Sequence, residues 1–469
     1  MTRLFATILA SLATISAIQA DPKPAAVFGD HMVLQQGMPV VVWGTATPGE
    51  KVTVSFRTKE ASATADDKGS WSLKLDTMMA DQKQAPSEFK VAGTEKSVVF
   101  KDVLVGEVWL CAGQSNMQWN INQSDAREDA AEANFPLIRH RAHNGQWTIC
   151  DPKTVGNFTA VGFYFARSIY QTKVVPVGLL NNAIGGTRIE PWMSPASATE
   201  YLSNRPEDAK INFSNLYKSH TEPLKPYAMR GMLWYQGESN GGEGETYYHK
   251  LRGLVSGMRY AWGQGDFSFY NVQLPNFTGD TNKPEGGDGF SKIREAEAKA
   301  LDIKNSGMAV IIDVGEARDI HPKNKKDVGE RLARWALVKD YAMKDIAHCS
   351  PMLKEMKIDG SKARVSFNHV EGGLIVGKKT GRSPVAEDKE GKLKRFAIAG
   401  EDKKWVWADA VIEGDSVVVS SPDVAKPVAV RYAYSANPDG ANLYSKSGLP
   451  AAPFRTDDWA SAPLPPKKK

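Results

Sequence analysis

Over the first quarter of the chain, apolar positions alternate with polar ones in short runs. The segments 40–44, 52–56, 71–75 and 98–100 each read as a strand with one buried face. Between them, Thr47-Pro48-Gly49-Glu50 and Asp66-Asp67-Lys68-Gly69 carry turn chemistry. This spacing predicts a small β-sandwich over residues 21–105. From 106 to 347 the pattern changes, because continuous apolar runs at 175–180, 231–235, 269–273 and 308–312 predict strands buried on both faces, while 293–301 and 328–338 carry helical spacing. Such alternation predicts an α/β domain with a mostly parallel sheet. Residues 348–469 return to short strands, among them 363–367, 417–419 and 428–432, and predict a second β-rich domain whose last residues, 463–469, form a frayed tail.

The N-terminus departs from all three patterns. Arg3, an apolar run from 4 to 18 and Gln19-Ala20 precede the polar Asp21-Pro22-Lys23-Pro24, which predicts a signal peptide over 1–20 cleaved after Ala20. The run is shorter than the ~20 apolar residues of a spanning helix, and no later stretch approaches that length. The mature protein is therefore expected to be soluble, and secreted or periplasmic. Charge adds an exclusion: 59 basic and 54 acidic residues are mixed along the chain, and part of the net +5 is the terminal Lys467-Lys468-Lys469. A nucleic-acid binder clusters its basic residues, so that class is set aside. Cys111, Cys150 and Cys349 are too few and too scattered for a disulfide scaffold or a zinc site, and Cys111 is expected to be buried within a strand.

Within the α/β region, the apolar Val108-Trp109-Leu110-Cys111-Ala112 runs straight into Gly113-Gln114-Ser115-Asn116-Met117. A serine at such a strand-to-helix turn is lifted clear of the sheet, and its own N–H at the helix start can hold a developing oxyanion. A serine alkoxide needs a base and an orienting group. His321 qualifies as the base, because it lies in the polar loop Asp313-Val314-Gly315-Glu316-Ala317-Arg318-Asp319-Ile320-His321-Pro322 that follows an apolar strand and so reaches the same sheet edge. Asp319 is near enough in sequence to reach Nδ1 of that imidazole. Two further turns gather at this edge. In Trp234-Tyr235-Gln236-Gly237-Glu238-Ser239-Asn240, Gln236 can donate to an oxyanion and Glu238 offers a carboxylate, while in Asn181-Asn182-Ala183-Ile184-Gly185-Gly186-Thr187-Arg188 a glycine N–H can serve as another oxyanion donor. Gly414-Asp415-Ser416 spells a lipase-type serine motif, but it sits between two strands and reads as a hairpin turn.

The segments GEVWLCAGQSNMQW, VPVGLLNNAIGGTRIEPWMS, WYQGESN, DIHPKNKKDVGERLA and ANLYSKSGLPAAPFRTDDW resemble the sialate O-acetylesterases, a branch of the SGNH hydrolases, in the same order along nearly all of the mature chain. The resemblance implies an SGNH-type three-layer α/β/α hydrolase domain flanked by β-sandwich-like regions. It implies a serine esterase that removes O-acetyl groups from sialic acids or related acetylated sugars through an acetyl-serine intermediate, without metal or cofactor. By the same resemblance Ser115 is the nucleophile, His321 the general base, Gly185 or Gly186 the glycine oxyanion donor, and Gln236 fills the position of the SGNH asparagine. One departure stands out: three residues before the histidine, where many SGNH hydrolases carry the acid, this chain has Arg318. Asp319, two before, or Glu238 is left to orient His321.

For the sugar, Arg188 is a candidate partner of a sialic acid carboxylate, with a structural ion pair as its competing reading. Trp192 and Trp234 are candidates to stack on a sugar face, against the commoner use of tryptophan in a core. Asn240 joins them as a candidate substrate-binding residue. Two other functions stay open: an O-acetylesterase acting on acetylxylan or another polysaccharide, and a non-catalytic carbohydrate-binding protein.

Overall fold

One strand, Ser97–Gly113, organises this computed structural model, which describes residues 21–80, 85–279 and 283–459. The signal-peptide pattern of 1–20 and the tail at 463–469 lie outside the described residues. The first part of the 17-residue strand alternates exposed and half-buried residues and pairs antiparallel with Ser87–Ala92. From Val103 onward every residue is buried. That second part lies parallel between Val177–Ala183 and Gly231–Tyr235. The boundary expected between residues 105 and 106 thus falls inside a continuous strand. A single apolar core runs from Val27 to Cys349 across it.

The sheet built on this strand has eleven strands and is mixed. Its main path runs Trp147–Cys150, Phe135–Arg141, Val177–Ala183, Ser97–Gly113, Gly231–Tyr235, Ser268–Val272 and Ser306–Ala309. All neighbours on that path are parallel except the edge pair of Trp147–Cys150 with Phe135–Arg141. Helix Ala160–Lys173 packs on the Val177–Ala183 strand and on helix Lys325–Lys339, which in turn covers Ser268–Val272 and Ser306–Ala309. Helix Glu245–Trp262 packs against Pro195–Asn204 and Gly289–Lys299. Among the described residues, no helix is long and apolar enough to cross a membrane.

The N-terminal strands Lys23–Pro24, Val40–Thr45 and Ser70–Leu75 form a separate three-stranded sheet, while Lys51–Phe56 and Lys59–Thr64 join the large one. Beyond Cys349 two four-stranded sheets and one three-stranded sheet surround a second apolar core that includes Val365, Ile398, Val419 and Tyr432. Ser416 opens the second strand of a hairpin whose turn holds Gly414 at φ +62°, so it stands at a strand start rather than a helix start, with its Oγ 3.1 Å from Ser366 Oγ. Cys111, Cys150 and Cys349 are all free and buried.

Two differences from the sequence-based expectation bear on the site. Helix Ala160–Lys173 has no counterpart there, because seven consecutive residues from Ala160 to Ala166 are buried and no polar face marks the helical period. The strand expected at 308–312 ends at Ala309; Val310, Ile311 and Ile312 stay buried but leave the ladder and lead into the loop that carries His321.

Candidate active site

Pairing register brings the chemistry together. Gly113 stands opposite Ala183 on one side and Tyr235 on the other, so the three turns that follow these strands open at one carboxyl edge of the sheet. Gly113 has φ +135°, and a Cβ there would lie 2.1 Å from the carbonyl oxygen of Tyr235. Only glycine permits that approach. Gln114 then takes an extended conformation, donates its N–H to Tyr235 O (3.0 Å), and delivers Ser115 as the first residue of the short helix Ser115–Gln118.

Ser115 Oγ lies 2.8 Å from His321 Nε2, although 206 residues separate them in sequence. Asp319 accepts the backbone N–H of His321 at 2.9 Å, and its Oδ1 lies 3.5 Å from His321 Nδ1. That second contact is longer than an ordinary hydrogen bond. The other carboxylates of the loop are engaged elsewhere. Asp313 forms a buried two-point ion pair with Arg331 (2.6 and 2.8 Å), and Glu316 accepts from the Lys323 N–H (3.0 Å). Burial holds the imidazole of His321 below its ordinary pKa, with the Lys325 cation adding to the effect and Asp319 opposing it. His321 is therefore neutral at neutral pH, the form a general base requires.

Gly185 lies beside the serine, since a Cβ on it would lie 3.3 Å from Ser115 Cβ, and its N–H is the candidate oxyanion donor. It donates to Oε1 of the exposed Gln118 at 2.8 Å. Gly186, at φ +72°, would have nothing within 4 Å of a Cβ. Gln236 is placed differently from the sequence expectation. Its amide is buried, and Nε2 donates to Asn240 Oδ1 (2.8 Å), Gln114 Oε1 (3.0 Å) and Thr187 O (3.2 Å). With both hydrogens engaged inside the protein, it bolts the three turns together and presents no donor to a substrate.

Other residues are corrected in the same way. Glu238 does not reach His321; its Oε1 accepts from Asn116 Nδ2 at 2.5 Å. Trp192 and Trp234 are 0% and 1% exposed and pack edge to face at 6.4 Å, so neither offers a ring to a sugar. Asn240, equally buried, bonds Gln236, the Ile189 N–H and Glu190. Arg188 is paired with Glu190 (2.9 Å) and with Glu243, and Lys250 bridges the same two carboxylates at 2.6 Å each. Its ion-pair reading is the one the structure displays.

Four residues absent from the sequence-based site belong to this edge. Asn116 follows the serine. Gln118 covers the Gly185 N–H. Trp119 stacks on His321, with ring centres 4.6 Å apart and planes 14° from parallel. Lys325, wholly buried, donates to Asn116 Oδ1. The first three lie within four residues of Ser115 and Lys325 lies four after His321, a proximity that would have flagged them; their roles depend on contacts made only in the fold.

The family described as carbohydrate esterase, sialic acid-specific acetylesterase matches residues 105–338, the segment that holds Ser115, Gly185 and His321. The crystal structure of a carbohydrate acetylesterase from Xanthomonas citri superimposes with a TM-score of 0.84 at 35% identity, covering 93% of this chain and 100% of that one. The chain belongs to this family of carbohydrate esterases. As a family member it is a carboxylic ester hydrolase. The esterase is also similar to human sialate O-acetylesterase, at 26% identity over 493 residues spanning 92% of this chain and 91% of the relative. The mouse sialate O-acetylesterase is 26% identical over 523 residues, spanning 92% and 93% of the two chains.

Proposed function

We propose that the protein is a serine esterase that removes O-acetyl groups from sialic acids or related acetylated sugars. The observation that carries this reading is the 2.8 Å contact of Ser115 Oγ with a neutral His321 Nε2, at a helix start beside the Gly185 N–H. Ser115 attacks the acetyl carbonyl while His321 takes its proton and passes it to the departing sugar hydroxyl. The N–H groups of Ser115 and Gly185 hold the oxyanion. Before substrate binds, the Gln118 amide oxygen occupies the Gly185 N–H, and the exposed side chain is free to swing away. Water then releases acetate from acetyl-Ser115 by the reverse relay. Helices on the large sheet support an SGNH-type three-layer arrangement for the catalytic part, and the leader pattern of 1–20 supports a secreted or periplasmic location.

A second substrate reading has one observation in its favour. Arg188, the residue suited to a sialic acid carboxylate, is already bound to Glu190 and Glu243, which favours a neutral acetylated polysaccharide such as xylan. Acetate release from O-acetylated sialic acid and from acetylated xylan, measured side by side with Ser115→Ala as control, separates the two. Serine-dependent release from sialic acid is the expected result; release from xylan alone keeps the chemistry and changes the sugar. Absence of release from every acetylated sugar, in wild type and variant alike, would leave the binding-protein reading.

The pH dependence of turnover is a further test. The base works deprotonated, and His321 is held below its ordinary value, so the acid limb of kcat/KM is expected to lie below about pH 6.5. An acid limb centred above pH 7 would sink the assignment of His321 as the base.

A further inference from the structure

Behind the Ser115–His321 pair lies a buried polar cluster that the proposed ester hydrolysis does not itself use. The Asn116 side chain, next to the serine, is fully enclosed and makes three hydrogen bonds. Its Nδ2 donates to Glu238 Oε1 (2.5 Å) and to the carbonyl of Ile320 (2.9 Å), the residue before His321. Its Oδ1 accepts from Lys325 Nζ. One amide thus ties the serine turn to the backbone that carries the imidazole, and a carboxylate on one side and an ammonium on the other hold it in a single orientation. Lys325 also lies against aromatic rings. Its Nζ is 5.5 Å from the centre of Trp119, the ring on which His321 stacks, and 5.4 Å from that of Tyr235.

A buried lysine is costly, and a protein that keeps one beside its reacting groups has a use for it. Glu238 compensates it only in part: Oε2 is buried and has no hydrogen-bond partner among the described residues. Burial pulls the Lys325 ammonium down to about 7, against the pull of Glu238, Asp319, Glu316 and Asp125. At the lower pH where His321 takes up a proton, Lys325 is charged.

Resting on the serine esterase reading above, we infer that Lys325 is a positioning residue: through Asn116 it fixes the distance between Ser115 and His321, and it holds a cation against the Trp119 ring on which His321 stacks. The charged groups that face His321 are Lys325 from the following helix and Asp319 from its own loop, and they act in opposite directions. Removing the cation leaves Asp319 unopposed among these charged groups. The His321 pKa must then rise.

The test compares Lys325→Met, which removes both hydrogen bond and charge, Lys325→Gln, which keeps an N–H donor without charge, and Lys325→Arg, which restores charge. Acetate release is read as separate kcat and KM across pH, and the His321 ring is titrated by NMR, which needs no turnover. The expected result is a loss of about 10² in kcat for Lys325→Met with KM unchanged. The His321 midpoint should move up by about half to one pH unit in Lys325→Gln, and Lys325→Arg should recover kcat to within about tenfold of wild type. A folded Lys325→Gln with an unmoved midpoint and kcat within threefold of wild type would overturn the inference. So would a Lys325→Met loss confined to melting temperature, with kcat intact in the folded fraction. If wild type hydrolyses no ester, the esterase reading fails by itself, while the NMR midpoint still decides the effect of Lys325 on His321.

Discussion

Ser115→Ala is expected to lower kcat by about 10⁶, with His321→Ala close behind and the double variant no worse than either alone. This pattern follows from the 2.8 Å contact between the two side chains, because a nucleophile and its base act as one unit. Without Ser115 there is no oxygen to carry the acetyl group, and without His321 the hydroxyl stays protonated. KM is expected to change little, since neither residue is the main source of sugar binding in this reading. Steady-state kinetics on an acetylated sugar, with folding checked by melting temperature, provide the test. Additive losses, with the double variant about a millionfold below each single one, would show that the two side chains act independently and would break the proposed relay.

Asp319→Asn carries the second large effect, an expected loss of about 10² to 10⁴ in kcat. The carboxylate lies 3.5 Å from Nδ1 and also receives the His321 N–H, so in the proposed relay it is the group that sets both the tautomer and the backbone of His321. An asparagine that presents its amide donor toward Nδ1 favours the wrong tautomer. The upper end of the range belongs to a buried pair, and Asp319 is 40% exposed, which argues for the lower end. Glu238→Gln is the control. Glutamine keeps an oxygen acceptor for Asn116 Nδ2, so a loss of no more than about tenfold is expected. A reversal, with Glu238→Gln the more damaging by 10² or more, would transfer the orienting role to Glu238 acting through Asn116 and Ile320.

The family membership explains why so much chemistry was readable from local sequence. An apolar strand that ends in Gly-Gln-Ser defines a turn by itself: only glycine takes φ +135° against the Tyr235 carbonyl, and the serine must then start the helix. The 185–186 turn and the His321 loop were legible because each follows a buried apolar run, although the run before His321 leaves the strand ladder after Ala309. Side-chain use was less legible. Gln236 and Asn240 look like substrate contacts in one dimension because they are polar and follow a strand, yet they fill each other's hydrogen bonds inside the fold.

What the sequence alone determined was the succession of strands and turns, the serine, the histidine and the edge at which they meet, because backbone conformation at a glycine or a buried apolar run is a local property. Tertiary structure decided the rest. It joined the N-terminal strands to the catalytic sheet through Ser97–Gly113, buried Trp192 and Trp234, engaged Arg188 with Glu190 and Glu243, and placed Lys325 and Glu238 on either side of Asn116. These outcomes depend on which groups from distant segments satisfy one another once water is excluded, and hydrophobic periodicity along the chain carries no record of that pairing.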